Sequence, residues 1–394
     1  MTCSFLLLLF LICLSSQTIY GQGEQKTHLT GFNITGIPVL SFNSDEGFGY
    51  GARLSLFYHA QGEYNPYYYL IDTEISATTG GKKEAFVFFD SPFLLGKGNR
   101  VTGEIRYQDN DFQPFYGLGH QSEYVEDFTD ENHPDFINKN YYRFGRKRVT
   151  GWLDYQRAWG SIRALAGLGI NHTDVTELEG ITALGENNSV TGKAGGMNNY
   201  VKLGLIYDTR DFEPAPTRGD WLDAVFEWSG KMVASDYDYR RLTITHRHYF
   251  RLARNGTLAV RLGFIKTWGD IPFYETAFMA STFRIQEGIG GSKSARGLLK
   301  NRYMGPVEAF GNIEARRRIV DFRMMGQDLF LALAAFFDFG SAWNSLDKVS
   351  LDTLHAGRGG GIHLGWDESF IISIDAGTGE DVGLGLYIGI GYLF

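Results

Sequence analysis

Residues 382–394 read VGLGLYIGIGYLF. Val382, Leu384, Leu386, Ile388, Ile390, Tyr392 and Phe394 fall on one side of an extended chain, and Gly383, Gly385, Gly389 and Gly391 on the other. Side chains alternate across a strand, so a period of two with one apolar face describes a half-buried β-strand. The same alternation runs upstream. In 257–268, Leu258, Val260, Leu262, Phe264 and Trp268 oppose Thr257, Arg261, Gly263 and Thr267. In 221–229, Leu222, Ala224, Phe226 and Trp228 oppose Asp223 and Glu227, and 50–60 alternates in the same way.

Length decides what the apolar face meets. These segments run about 10–14 residues, against about 5–6 for soluble strands, and they reach the ~9–11 residues of a tilted membrane strand. The other face carries Gly, Ser, Thr, Arg, Asp and Tyr, as a polar lumen requires. Aromatic residues gather near segment ends, as in Tyr67-Tyr68-Tyr69, Tyr141-Tyr142, Trp228 and Trp268. In lipid every backbone group must pair internally, so such a sheet has to close. The expected fold is all-β: a transmembrane antiparallel β-barrel of 16 strands at 34–43, 47–60, 67–80, 83–95, 99–111, 139–155, 160–174, 198–211, 218–231, 236–252, 256–269, 307–322, 328–343, 356–367, 369–379 and 382–394.

Composition agrees. Fifty Gly, only nine Pro and 15% aromatic residues suit strands and exclude a disordered chain. A net charge of −8 leaves no basic footprint for nucleic acid. The run FLLLLFLIC from Phe5 to Cys13 is too short to span a bilayer and has the length of a signal-peptide core. The chain is therefore divided into a signal peptide (1–21), a short periplasmic segment (22–33) and an outer-membrane barrel (34–394). Both cysteines, Cys3 and Cys13, fall in the leader, so no thiol chemistry is expected after cleavage. Long polar connections at 112–138, 175–197 and 270–306 are expected outside the cell, and short turns such as Asp45-Glu46 and Gly81-Lys82 in the periplasm.

Chemistry-bearing motifs are sparse. G-x-S-x-G, H-E-x-x-H and C-x-x-C do not occur, so no enzyme activity, catalytic residue or cofactor is expected. His246 and His248 share a strand face and have metal-ligand character, but no third ligand is evident. They read as polar lumen or interface residues, and no metal is expected. The acidic stretch Glu123–Asp135 reads as a solvated outer loop.

Several motifs point to one family. Residues 208–219, DTRDFEPAPTRG, contain Asp208, Arg210, Asp211, Pro216 and Gly219 in the D-x-R-D…P-x-x-G pattern. Pro114–His120 (PFYGLGH), Ser294–Leu298 (SARGL), Gly311-Asn312-Ile313-Glu314 and Phe336–Gly340 (FFDFG) follow in order. The set resembles the bacterial surface antigen (BamA/TamA-like) superfamily of outer-membrane assembly factors. Gly389, Tyr392 and Phe394 are similar to the C-terminal signal that barrel assembly machinery reads.

The resemblance implies a long loop folded into the lumen, bearing Arg296 and Gly297 in place of the usual V/I-R-G-F/Y; Ala295 and Leu298 depart from that pattern. Alternation independently sends Glu314 (with Asn312 and Arg316) and Asp338 (with Ala332, Ala334 and Gly340) to the lumen. A guanidinium on an inward loop can bridge such carboxylates with its planar fork. The family match also singles out Phe336 and Gly340. It implies assistance to protein or lipid insertion or translocation at the bacterial outer membrane, with a labile seam where Pro38 removes a ladder donor. The implied partners are outer-membrane lipids, the barrel assembly machinery and a periplasmic or secreted protein client. Assembly factors of this family carry periplasmic polypeptide-transport-associated domains, and residues 22–33 leave no room for one. The alternatives are a passive small-solute channel and a structural or adhesion barrel.

Overall fold

The computed structural model describes residues 30–394, apart from 65, 214, 325–326 and 367–369. The expected signal peptide (1–21) and residues 22–29 lie outside the described residues.

Sixteen antiparallel strands close into a barrel: β1 (Phe32–Asn43), β2 (Gly47–Tyr58), β3 (Tyr69–Thr78), β4 (Lys82–Ser91), β5 (Asn99–Pro114), β6 (Arg143–Trp159), β7 (Ile162–Thr176), β8 (Tyr200–Asp208), β9 (Gly219–Ser229), β10 (Tyr239–Ala253), β11 (Gly256–Gly269), β12 (Val307–Met324), β13 (Gln327–Trp343), β14 (His355–Trp366), β15 (Phe370–Gly379) and β16 (Gly385–Ile390). Each strand pairs with the next, and β1 pairs with β16. Closure pairs neighbouring strands all round, but β1 meets β16 only at Phe42 and Asn43, so most of the β1 edge stays unpaired there.

The two faces are inverted relative to a soluble protein. Leu54, Ile75, Ile105, Leu153, Leu203, Leu333 and Phe337 point outward and are exposed, while Asp90, Asp154, Glu227, Arg261, Glu314 and Asp338 are buried inside. An apolar outer wall around a charged interior is stable when hydrocarbon replaces water outside. Many interior charges are paired, as in Lys202 Nζ to Asp154 Oδ2 at 2.8 Å and Arg241 Nη2 to Glu227 Oε2 at 2.5 Å.

Residues 270–306, between β11 and β12, fold into the lumen as a plug. Phe273, Tyr274 and Met304 pack with Phe115, Phe144 and Leu184. Ile289, Ala295, Leu298 and Tyr303 pack with Ile265, Phe310 and Ala342 of the wall. A small hairpin, Phe278–Met279 with Gln286–Glu287, stiffens the plug.

Four expectations change. The first strand begins at Phe32, inside the segment assigned as periplasmic (22–33). Tyr141 and Tyr142 precede β6; Tyr142 is buried against Tyr116 and Tyr124 in a loop cluster rather than standing in a strand-end girdle. The short turns at 44–46 and 79–81 lie at the same end as the long loops, because strands alternate in direction and the end is set by parity, not by turn length. Last, β16 stops at Ile390, not Phe394. Gly391 adopts φ +89°, a left-handed conformation that suits glycine, and the chain turns inward there.

Candidate functional site: the plug lock and the seam

Arg296 is carried on the plug and is 1% exposed. Its Nε donates to Asp338 Oδ2 at 2.8 Å and its Nη2 to Asp338 Oδ1 at 3.3 Å, a two-pronged contact. Its main-chain N–H also donates to Asp338 Oδ2, at 3.0 Å. Nη1 lies 2.8 Å from Glu314 Oε2 and 3.0 Å from Asp375 Oδ2. The ring of Phe336 lies 3.5 Å beneath the guanidinium. Burial opposes the charge of Arg296, but the Asp338 and Glu314 carboxylates outweigh it and hold its pKa above the ordinary value. Glu314 is shared with Arg316, whose Nε lies 2.6 Å away.

Glycine lets the plug backbone reach the wall. Gly297 has φ +88°, and a Cβ there would stand 2.6 Å from the Thr378 carbonyl oxygen. Side chains at Gly357 and Gly379 would collide with the Arg296 and Gly297 carbonyls. Gly340 makes room for Ile289 in the same way. The Gly297 N–H donates to Tyr387 Oη on β16 at 3.0 Å.

The seam between β1 and β16 has only two registered pairs, Phe42 with Ile388 and Asn43 with Tyr387. Leu386 N adds a bond to Ser44 Oγ at 2.9 Å. The plug straps both sides of this seam at the loop-bearing end. On the β1 side, Lys300 N donates to Asp45 Oδ1 at 3.1 Å, and Lys300 Nζ reaches Glu46 Oε1 at 2.5 Å and Glu287 Oε1 at 3.2 Å. On the β16 side, Arg302 Nε donates to Asp381 Oδ2 at 2.9 Å, in the turn before β16. Burial pushes the Asp45 carboxyl up to about 6, against the Lys300 amide and ammonium. Burial also disfavours Glu46 ionisation, but the Lys300 and Lys82 ammonium groups prevail and hold it below the usual carboxylate range.

Arg296, Gly297, Glu314, Asp338, Phe336 and Gly340 thus lie together in the lumen. Sequence reasoning missed Asp375, Tyr387 and the Lys300 strap. The glycine-rich run Gly357-Arg358-Gly359-Gly360-Gly361 was the available sign of a close approach here. The motif residues Asp208, Arg210, Asp211, Pro216 and Gly219 lie far from this group, at the opposite end, where they build one turn. Asp208 accepts from Arg210 Nε at 3.0 Å, Asp211 accepts from Thr217 Oγ1 at 2.6 Å, and the Arg210 guanidinium stacks 3.8 Å from Trp221. Gly389 remains on β16. Tyr392 and Phe394 do not stand on the lipid face as their alternation suggested. Tyr392 packs 3.8 Å from the Arg316 guanidinium, Phe394 is buried against Tyr249 and Ala259, and Arg316 Nη2 donates to the Phe394 main-chain oxygen at 3.0 Å. Desolvated Arg316 and Arg261 offer these rings cation–π partners that lipid does not. His246 and His248 face outward, not into the lumen.

The Omp85 superfamily domain matches residues 69–388, from β3 through β16. The chain belongs to the Omp85 superfamily. Its fold is shared with BamA from Haemophilus ducreyi, solved without POTRA domains 1–3 (TM-score 0.58, 13% identity, 92% of this chain and 70% of that one). It is shared as well with CdiB from Escherichia coli (TM-score 0.60, 12% identity, 93% and 65%) and CdiB from Acinetobacter baumannii (TM-score 0.50, 13% identity, 92% and 60%). This chain therefore spans less than two thirds of either CdiB. No curated protein sequence matches it. An Omp85-type, BamA-like outer-membrane barrel is the level at which sequence, fold and family coincide.

Proposed function

We propose that this Omp85-type barrel assists the insertion or passage of a protein or lipid client at the bacterial outer membrane, opening along the β1–β16 seam. The observation that carries this reading is the two-pair seam beside an inward-turned C-terminal segment. Antiparallel strands are held by ladder bonds and cross-strand side-chain pairs, so the pairing with the fewest of them opens at least cost. The long loops and the plug straps would face the cell exterior, and the open half of the seam the periplasm. The partners of this reading are outer-membrane lipids and the barrel assembly machinery, together with a client delivered from the periplasm. The plug favours this reading over a passive channel, since its packed side chains occupy the lumen that solutes would need.

The test uses a reversible lock. Phe42→Cys with Ile388→Cys joins a registered pair across the seam. Vesicles containing the wild-type barrel are expected to accelerate folding of an unfolded eight-stranded outer-membrane barrel over empty vesicles. The oxidised double variant is expected to lose that acceleration and regain it on reduction. Absence of acceleration, together with large steady ohmic conductance in planar bilayers, would overturn the proposal in favour of a channel.

A further inference from the structure

Three metal-ligand atoms meet on the outer wall, at the end away from the long loops. His246 and His248 are two apart on β10, and their face looks outward because Thr245 and Tyr249, which flank them on the strand, are buried inside. Register sets Asp220, at the start of β9, opposite His248, and Leu222 opposite His246. Asp220 Oδ1 lies 2.9 Å from His246 Nε2 and 2.6 Å from His248 Nδ1. One ligand atom from each of the three falls within 4.8 Å of the others. The third ligand that the sequence did not disclose is thus supplied by the neighbouring strand.

We propose that Asp220, His246 and His248 bind a divalent first-row transition metal ion of the zinc class. Two imidazoles and a carboxylate suit Zn2+, Cu2+ or Ni2+, whereas Mg2+ and Ca2+ prefer oxygen throughout. Zinc holds nitrogen and oxygen at about 2.0–2.2 Å, which puts tetrahedral ligand atoms about 3.3 Å apart. The Asp220–His contacts need to open by only about half an ångström to admit the ion. The side chains have room for this, being 44% (His246), 32% (His248) and 29% (Asp220) exposed. The carboxylate is already placed: Asp220 N donates to Thr209 Oγ1 at 3.0 Å, and Thr209 N donates to the Asp220 carbonyl at 2.8 Å. The ring of His248 lies 3.9 Å from that of Phe250.

The surroundings favour a cation. Outward neighbours on these strands are Leu222, Ile244, Phe250 and Leu262. A carboxylate on such a wall is costly without neutralisation. Among the described residues its ion-pair partners are the two histidines, with no Arg or Lys. The other cluster of potential ligands, Asp127, His133 and Asp135, has one imidazole on an exposed loop, with pairs at 3.6 and 3.9 Å. It offers a weaker donor set and serves as the control.

The experiment titrates untagged, chelator-stripped protein in detergent with Zn2+ by calorimetry, and with Co2+ by visible absorption. One equivalent of Zn2+ is expected to bind and to displace Co2+. His246→Ala, His248→Ala and Asp220→Asn should each weaken binding at least about tenfold, the lower edge of what even outer-shell losses cost. His133→Ala should leave it unchanged. All four variants should keep heat-modifiable mobility, because their side chains face away from the lumen. Lack of stoichiometric binding by the wild type would overturn the assignment. So would equal binding by the double variant His246→Ala/His248→Ala, or a loss confined to His133→Ala.

Discussion

The β12–β13 hairpin and the β1–β16 seam are both antiparallel pairings in one barrel, yet they are held differently. β12 and β13 stay in register from Val307 with Trp343 to Met324 with Gln327, interrupted once near Arg318. The seam is registered only at Phe42 with Ile388 and Asn43 with Tyr387. The hairpin is closed by its own ladder, and the plug's Arg296 binds it in addition, on Glu314 and Asp338. The seam is supported at its loop-bearing end by plug groups: the Arg296 guanidinium on Asp375, the Gly297 main-chain N–H on Tyr387, Lys300 on the turn after β1, and Arg302 on the turn before β16. Closure of this seam therefore rests on tertiary contacts of residues 296–302 as well as on its two registered pairs.

The harshest way to break the contrast is Arg296→Ala. It leaves Glu314, Asp338 and Asp375 buried with a missing cation, which costs about 3–5 kcal/mol. Heat-modifiable mobility should fall to lower temperature, and protease should cut within 270–306. An unchanged profile would mean that the plug is not held by this guanidinium. Arg296→Lys should rescue only in part, since an ammonium lacks the planar fork. Gly297→Ala comes next, at about 1–3 kcal/mol for the left-handed backbone alone. Its collision with the Thr378 carbonyl should lift the plug from β14 and β15, read as faster hydrogen exchange there with little change at the β12–β13 hairpin.

Lys300→Met sharpens the comparison by removing one strap and leaving Glu46 with only the more distant Lys82 ammonium, 3.9 Å away, for about 1–3 kcal/mol. Hydrogen exchange should rise in β1 and not in β13. Equal acceleration in both would show that the seam has no separate support.

The gentlest probe is pH. Glu46 has a folded pKa below its ordinary 4.5, so its contribution is complete above that value and is lost as pH falls through the folded pKa. Asp45 has the opposite sign. Its folded pKa of about 6 lies above the ordinary 3.8, so its contribution is present below 3.8 and is lost as pH rises through about 6. Asp45→Asn should flatten the decline in seam protection between about pH 4 and 6 and leave the acid limb to Glu46. A decline of the same slope in the variant would remove Asp45 from the account.

Much of the architecture was legible in residue order. Each of the sixteen segments overlaps a strand, and alternation alone sent Glu314 and Asp338 to the lumen. The failures are as instructive. The alternation of 382–394 continues to Phe394 on paper, but Gly391 turns the chain and the last aromatic rings prefer Arg316 and Arg261 to lipid. Asp375 carried no motif that marked it, and it reaches Arg296 only because β15 happens to lie under the plug.

By itself the sequence determined the alternation of faces along the strands and roughly where each strand lies, because a two-residue period and a stretch of extended chain are local properties of the backbone. The partners across the lumen were decided only by the tertiary structure. Asp375 under Arg296, Lys300 against the β1–β2 turn, and Asp220 beside His246 and His248 depend on barrel register and on the path of the plug, and no local pattern encodes either.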